Sequence, residues 1–288
     1  MIERTARPLR RLGDWLARVV DAFYRALGRP GKLLQDFLNG SWLGHPTHPV
    51  VTDVIVGGAT VVVVLDLAAM AFGLTDLESA TQIALLVTWL AGVSSIVTGL
   101  TDFKDTAMGD ERNVALLHGL INIIGTAAFI ISSVLRLVGD VGAGRWASFS
   151  GAAVIAVGAF IGGHLVFKYG YMVNFNAFPR ARRAPDFTSV MPAADLPDGQ
   201  PTRATLGTTV LVVVRRGDLV TALKESCSHA GGPLAKGALE GDTITCPWHG
   251  SRFRLTDGAV RHGPATTRQV AYRARIHEGQ VEVAGPIQ

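Results

Sequence analysis

The chain has 288 residues, of which 48% are hydrophobic and only 17% are charged, and its formal net charge is +4. That balance is apolar for a soluble protein. The mild charge gives no reason to expect nucleic acid as a partner, and the length leaves room for two modest domains. Two cysteines, Cys227 and Cys246, are too few to read as a disulfide scaffold.

In residues 1–44, Leu9, Leu12, Leu16, Val19, Val20, Phe23 and Leu27 recur at three- and four-residue spacing, with arginines on the other face. This pattern predicts a basic amphipathic helix lying on an anionic membrane surface. A helix docked on the C-terminal domain fits the same pattern. Arg10-Arg11 resembles a twin-arginine export signal, but Asp14, Arg18 and Asp21 interrupt the apolar region such a signal needs.

Four apolar runs follow, at 50–74, 80–100, 114–138 and 146–167. Each has about 20 residues or more, enough to cross a hydrocarbon core as a helix. The reading for 45–175 is therefore a four-helix transmembrane domain. Fourteen Lys and Arg lie before the first run, between the second and third, and in the segment directly after the fourth as far as Arg183, against Arg145 alone in the opposite loops. The positive-inside rule then places both termini in the cytoplasm of a bacterial inner membrane.

In this topology His45, His48, His118 and His164 lie near one face of the bundle, together with Asp53 and Asp102. Polar groups at such depth are costly and often functional. Three readings stand: an interfacial hydrogen-bond network; haem b held by two imidazoles, with His118 and His164 as the preferred pair; or a metal or quinone site using His45, His48 and an aspartate. Asn122, one turn after His118, is placed to support it. Gly158 and Gly162 form a small-residue motif for close packing. Asp66 is read as facing Thr88 or Ser133. Trp42, Trp89 and Trp146 include candidate interface anchors. The stretch GHPTHPVVTD with GGHLVFKYG resembles a bacterial four-helix membrane family of unknown function, which implies a fold and no activity.

Prolines mark 176–190 as a linker. In 191–288, short alternating runs such as TVLVVVR and QVAYRARI are separated by Gly-Asp, Asp-Gly and Glu-Gly pairs. They predict a small all-β domain of hairpins. It carries Cys227-x-His229 and, after sixteen residues, Cys246-x-x-His249. Two thiols and two imidazoles at this spacing are metal ligands in kind, and zinc is one possible occupant.

The paired stretches CSHAGGPL and CPWHGSRF resemble the ligand loops of the Rieske iron–sulfur family. The resemblance implies a [2Fe-2S] cluster with Cys227 and Cys246 on one iron and His229 and His249 on the other. Gly231, Gly232 and Gly250 then let the backbone bend and aim N–H groups at sulfur. His262-Gly263-Pro264 resembles the third, covering loop. Where quinol-oxidising members add two disulfide cysteines, this chain has Gly231 and Trp248. The family's serine donor is present as Ser251, and its tyrosine is replaced by Phe253. Two of three potential-raising features are thus absent, which implies a ferredoxin-like, low to intermediate potential.

The expected fold is an α-helical membrane bundle plus a small all-β Rieske domain. The expected function is membrane-anchored carriage of single electrons at the cytoplasmic face, exchanging with a membrane complex or a quinone. Supplying a separate oxygenase or reductase, or sensing redox state through the bundle, are the alternatives. No 2-His-1-carboxylate iron domain and no dinucleotide fingerprint accompany the cluster motif, so no complete catalytic site is read in the chain.

Overall fold

The computed structural model describes residues 1–177 and 184–287. Arg180, Arg182 and Arg183 of the charge count lie outside the described residues. Contacts divide the chain into two units, Met1–Gly31 with Thr47–Tyr171, and Lys32–Pro46 with Met172–Gln288. The basic N-terminal segment is thus shared between them.

The first unit holds helices α1 (Ile2–Ala6), α2 (Arg10–Ala26), the start of α3 (Gly28–Asn39), and four long helices: α4 (Thr47–Phe72), α5 (Leu77–Phe103), α6 (Asp110–Leu137) and α7 (Val141–Tyr169). The four long helices are apolar and long enough to span a membrane. They close into a ring in which α4 and α6 each pack on both α5 and α7, so α5 and α7 occupy opposite corners. Burial runs opposite to that of a water-soluble bundle. On α5, Thr81, Thr88, Ser95, Thr98 and Thr101 are buried, whereas Ile83, Val87, Leu90 and Val97 are exposed. Small and hydroxyl side chains inside with branched apolar ones outside is the arrangement that lipid favours.

Asp66 does not face Thr88 or Ser133. Both its oxygens accept from Arg136 Nη2, at 2.8 and 2.7 Å, and Oδ2 also accepts from Ser148 Oγ at 2.8 Å. Arg136 Nη1 reaches Glu78 at 2.8 Å, and Arg145 approaches Asp66 at 3.6 Å. Each of the four long helices contributes one charge to this cluster. A buried carboxylate needs a full counter-charge that a hydroxyl cannot supply, which is why Arg136 displaces the partners expected from the sequence.

Helix α2 packs on the same bundle, correcting the alternative that set it on the C-terminal domain. Its small residues Gly13 and Ala17 are buried, Tyr24 Oη meets Thr101 Oγ1 at 2.6 Å, and Asp14 pairs with Arg112 at 3.0 Å. Leu12, Trp15, Val19 and Phe23 remain exposed as one stripe.

The second unit is built on strands β1 (Ala184–Pro192), β2 (Thr202–Leu206), β3 (Thr209–Arg216), β4 (Leu219–Lys224), β5 (Ala238–Glu240), β6 (Thr243–Thr245), β7 (Arg252–Arg254), β8 (Val260–His262), β9 (Ala271–His277) and β10 (Gln280–Ile287). A six-stranded sheet runs β1-β10-β9-β4-β3-β2 and a four-stranded sheet runs β5-β6-β7-β8, with antiparallel pairing throughout. Strand β1 begins inside the stretch read as a linker, 176–190, and ends just beyond it at Pro192. Pro185 and Pro192 are tolerated because β1 is an edge strand. The unbroken apolar run of β3 is buried on both faces. Leu211 and Val213 enter one core with Val281 and Val283, and Val212 and Val214 enter the other with Ile244, Phe253 and both cysteines.

Candidate metal centre

The chain between β4 and β5 and the chain between β6 and β7 form two loops of matching construction. In the first, the Gly231 N–H donates to Cys227 O at 2.8 Å and the Cys227 N–H donates to Gly232 O at 2.9 Å. In the second, the Gly250 N–H donates to Cys246 O at 3.1 Å and the Cys246 N–H to Ser251 O at 2.8 Å. The same four- and five-residue closures thus follow each cysteine. Gly231 and Gly250 have φ of 76° and 78°, a region that favours glycine.

Both cysteines are buried and their thiols are in hydrogen-bond contact. The His229 and His249 rings lie beside each other, centroids 5.0 Å apart at 87°. Backbone N–H groups of His229 and Ala230 are aimed at the Cys227 sulfur, and those of Trp248 and His249 at the Cys246 sulfur. The Cys227 thiol, with those N–H groups, lowers Cys246 to about 7. The same contact, together with burial, pushes Cys227 up. Gly232 is required at its place, since a Cβ there would lie 2.7 Å from Cys246 Sγ and 3.1 Å from the Trp248 ring.

Among the described residues, no three of His, Cys, Asp and Glu surround one point as a single ion needs. Paired thiols and paired imidazoles that do not converge fit a two-iron cluster better than one tetrahedral zinc. Trp248 is exposed, and Phe253 is fully buried in the core beneath the loops. Ser251 is also fully buried, and its Oγ accepts from the Ala265 N–H at 3.0 Å. It therefore ties the second ligand loop to the third, which contains Gly263-Pro264.

Some site residues carry no signal in the sequence. Asp36, at the end of α3, accepts from the Gly263 N–H at 2.7 Å and pairs with His262 Nδ1 at 2.8 Å. Ser41 Oγ donates to Ala265 O at 3.3 Å. On the other side, the Phe175 N–H donates to Ser228 O at 2.9 Å, and a Gly231 Cβ would strike the Phe175 ring. Gln269 is buried. Its Oε1 accepts from the Ser228 N–H at 2.9 Å and from Asn176 Nδ2 at 3.1 Å, and its Nε2 donates to Ser226 O at 2.7 Å. The segments that precede α4 and follow α7 thus brace the cluster loops. Sequence separations of 41 to 227 residues hide such contacts from periodicity or motif.

The membrane histidines divide differently from the sequence reading. His118 and His164 are not a pair. His164 Nε2 meets Glu3 of α1 at 3.0 Å, with Lys168 on the same carboxylate. His118 Nδ1 instead lies 2.9 Å from Gly158 O, and its ring meets His48 at 6.2 Å between centroids. The Asn122 amide fills the space over Gly158 and the His118 imidazole the space over Gly162, so these glycines admit side chains rather than a neighbouring backbone. Asn122 lies against the same ring as expected, with Nδ2 donating to His118 O at 2.8 Å. His45 Nδ1 turns to Pro46 O at 2.9 Å, and Asp53 is exposed. Asp102 is buried and accepts Tyr171 Oη on its backbone carbonyl at 3.0 Å. The set of His45, His48 and an aspartate is not brought to one point.

Comparison with known proteins agrees with this geometry. Residues 186–276 match the Rieske [2Fe-2S] domain, and residues 44–174 match the family described as "Predicted membrane protein (DUF2231)". Ferredoxin CarAc of Metapseudomonas resinovorans is 35% identical over 97 residues, 33% of this chain and 91% of that protein. The anthranilate 1,2-dioxygenase ferredoxin subunit of Burkholderia cepacia is 33% identical over 30% of this chain and 80% of its own length. The cytochrome b6-f complex iron-sulfur subunit of Chlorobaculum tepidum is 30% identical over 33% of this chain and 52% of its own length. The chain therefore belongs to the Rieske [2Fe-2S] proteins and joins that domain to a DUF2231 membrane domain.

Proposed function

We propose that the protein carries single electrons at the cytoplasmic face of a bacterial inner membrane. Cys227 and Cys246 hold one iron of the cluster, and His229 and His249 hold the other. The observation that carries this reading is the pair of matching loops that bring two buried thiols and two adjacent imidazoles together. When bound, the cluster takes up and releases one electron without a proton-coupled bond change at carbon. The chain's own work is to hold the thiolates with paired N–H groups, exclude water from the sulfurs through Leu234, Ile244 and Phe253, and leave the imidazole edges partly exposed for a partner.

The excess of Lys and Arg beside one end of the spans supports cytoplasmic termini. At the far end stand only the two cations Arg136 and Arg145, held by Asp66 and Glu78, too few to offset that bias. The exposed stripe on α2, with arginines beside it, supports seating at the lipid surface. The redox partner is a membrane complex or a quinone. A second reading, supply of electrons to a separate oxygenase, rests on the printed names of the two ferredoxin relatives.

EPR of reduced membranes tests the proposal. A Rieske signal that disappears in His229→Ala and Cys246→Ser is the expected result. Full signal in either variant sinks the ligand assignment.

A further inference from the structure

The membrane unit holds two imidazoles that the cluster does not use. His48 of α4 places Nδ1 3.0 Å from Ser95 O, and His118 of α6 places Nδ1 2.9 Å from Gly158 O. A carbonyl oxygen only accepts, so each Nδ1 carries the proton. Each Nε2 is then left as a bare lone pair. This is the second-sphere arrangement that prepares a histidine to bind metal through Nε2.

The orientation of the two rings agrees. The Nδ1–Cε1 edge of His48 lies against α5, where a Cβ on Gly99 would be 2.9 Å from Cε1. The same edge of His118 lies against α7, where a Cβ on Gly162 would be 2.9 Å from Cε1. Because α5 and α7 stand at opposite corners of the ring of helices, the two imidazoles are seated on opposite helices, and their rings meet each other. No hydrogen bond of His48 Nε2 is found among the described residues, and His118 Nε2 has only the Asn122 amide at 3.5 Å.

The ring centroids are 6.2 Å apart and the planes cross at 81°. A metal midway between two imidazoles needs two bonds of about 2 Å and the depth of two rings of about 1 Å each, which sets the centroids about 6 Å apart. Among the described residues no third His, Cys, Asp or Glu completes a site here. Two neutral axial donors and no others suit a metal whose remaining positions are filled by a planar macrocycle.

The geometry points to His48 and His118 as the axial ligands of a haem iron within the membrane bundle. The assignment deepens the electron-carrier reading by adding a second one-electron centre, on the same chain as the cluster. Gly99 and Gly162 give the imidazoles their seats, and Asn122 supports His118 from the following turn.

The test uses full-length protein purified from a haem-replete host and read by pyridine haemochrome and EPR. The expected result is stoichiometric haem b with a strongly anisotropic low-spin ferric signal, as nearly perpendicular ligand planes require. His48→Ala and His118→Ala, and the milder His118→Gln, are each expected to lose that signal and the haem. His45→Ala and His164→Ala are expected to keep both. The reduced Rieske signal, recorded on every sample, reports the β unit, and monodisperse elution in detergent with retained helical circular dichroism reports the membrane unit. Wild-type protein with a full Rieske signal and no haem, even after titration with hemin, overturns the assignment. So does haem retained in both His48→Ala and His118→Ala. Haem without a Rieske signal instead counts against the electron-carrier reading and leaves this one standing.

Discussion

The carboxylate of Asp36 spans two successive positions of the third cluster loop, with His262 Nδ1 at 2.8 Å and the Gly263 N–H at 2.7 Å. It does so from a helix that precedes the first membrane span by only a few residues. Ser41 adds a bond to Ala265 in the same loop. Asp36 and Ser41 thus hold the third loop through hydrogen bonds from a distant segment.

Asp36→Ala is expected to loosen the loop over the cluster. Hydrogen bonds to a charged group contribute about 1.5–3 kcal/mol each, less where partly exposed as here. The measurement is the rate of cluster bleaching by a chelator in the full-length protein. The rate should rise several-fold, with Asp36→Asn intermediate, and remain unchanged in Asp14→Ala, which removes an ion pair of the membrane unit.

Gly232→Ala is expected to abolish the cluster while leaving the β unit folded. The added Cβ would stand 2.7 Å from Cys246 Sγ, inside any tolerable contact, and the opposing atom is the proposed ligand itself. Iron content per chain should fall to background, with the circular dichroism of the strands retained. Full iron content would show that the loops shift to admit a methyl group.

Ser251→Ala removes a buried hydroxyl that accepts from Ala265 N–H and whose own proton is free to point at the cluster. The potential should fall by tens of millivolts, the equivalent of about 1 kcal/mol for one electron. Stability should fall by about 1–3 kcal/mol from the orphaned Ala265 N–H. Redox titration and thermal unfolding read the two effects separately. A lower melting temperature at constant potential would assign Ser251 a purely structural role.

Arg136→Ala is expected to cost about 3–5 kcal/mol, because it strands the Asp66 carboxylate in the bundle. Asp66→Asn combined with Arg136→Gln should cost less than the sum of the single changes, since neither charge is then left alone. Unfolding of the detergent-solubilised protein measures both. Additive effects would mean that the two side chains do not interact.

Much of this was legible in the sequence for definite reasons. Membrane helices declare themselves because each run must satisfy its own backbone in lipid, which forces length and composition on the chain. The cluster loops declare themselves because their ligands, glycines and prolines are local, all within eight residues of one cysteine or the other. Strand β1 was hidden by its prolines, which mark a loop in most contexts and an edge strand in this one. Asp66 was legible as a costly buried group, but its partner Arg136 lies 70 positions away on another helix.

The sequence by itself determined the two kinds of domain, the four candidate donors of the cluster and the histidines worth asking about. Composition, period and short spacing are properties of the chain alone. Only the tertiary structure decided which histidine meets which: His118 faces His48 and the glycines of α7, and His164 goes to Glu3. It also decided that Asp36, Ser41, Phe175 and Asn176 brace the cluster loops. The physical reason is that pairing between distant segments depends on helix rotation and neighbour order. Once the pattern of burial is satisfied, many pairings remain compatible with one sequence, and packing selects among them.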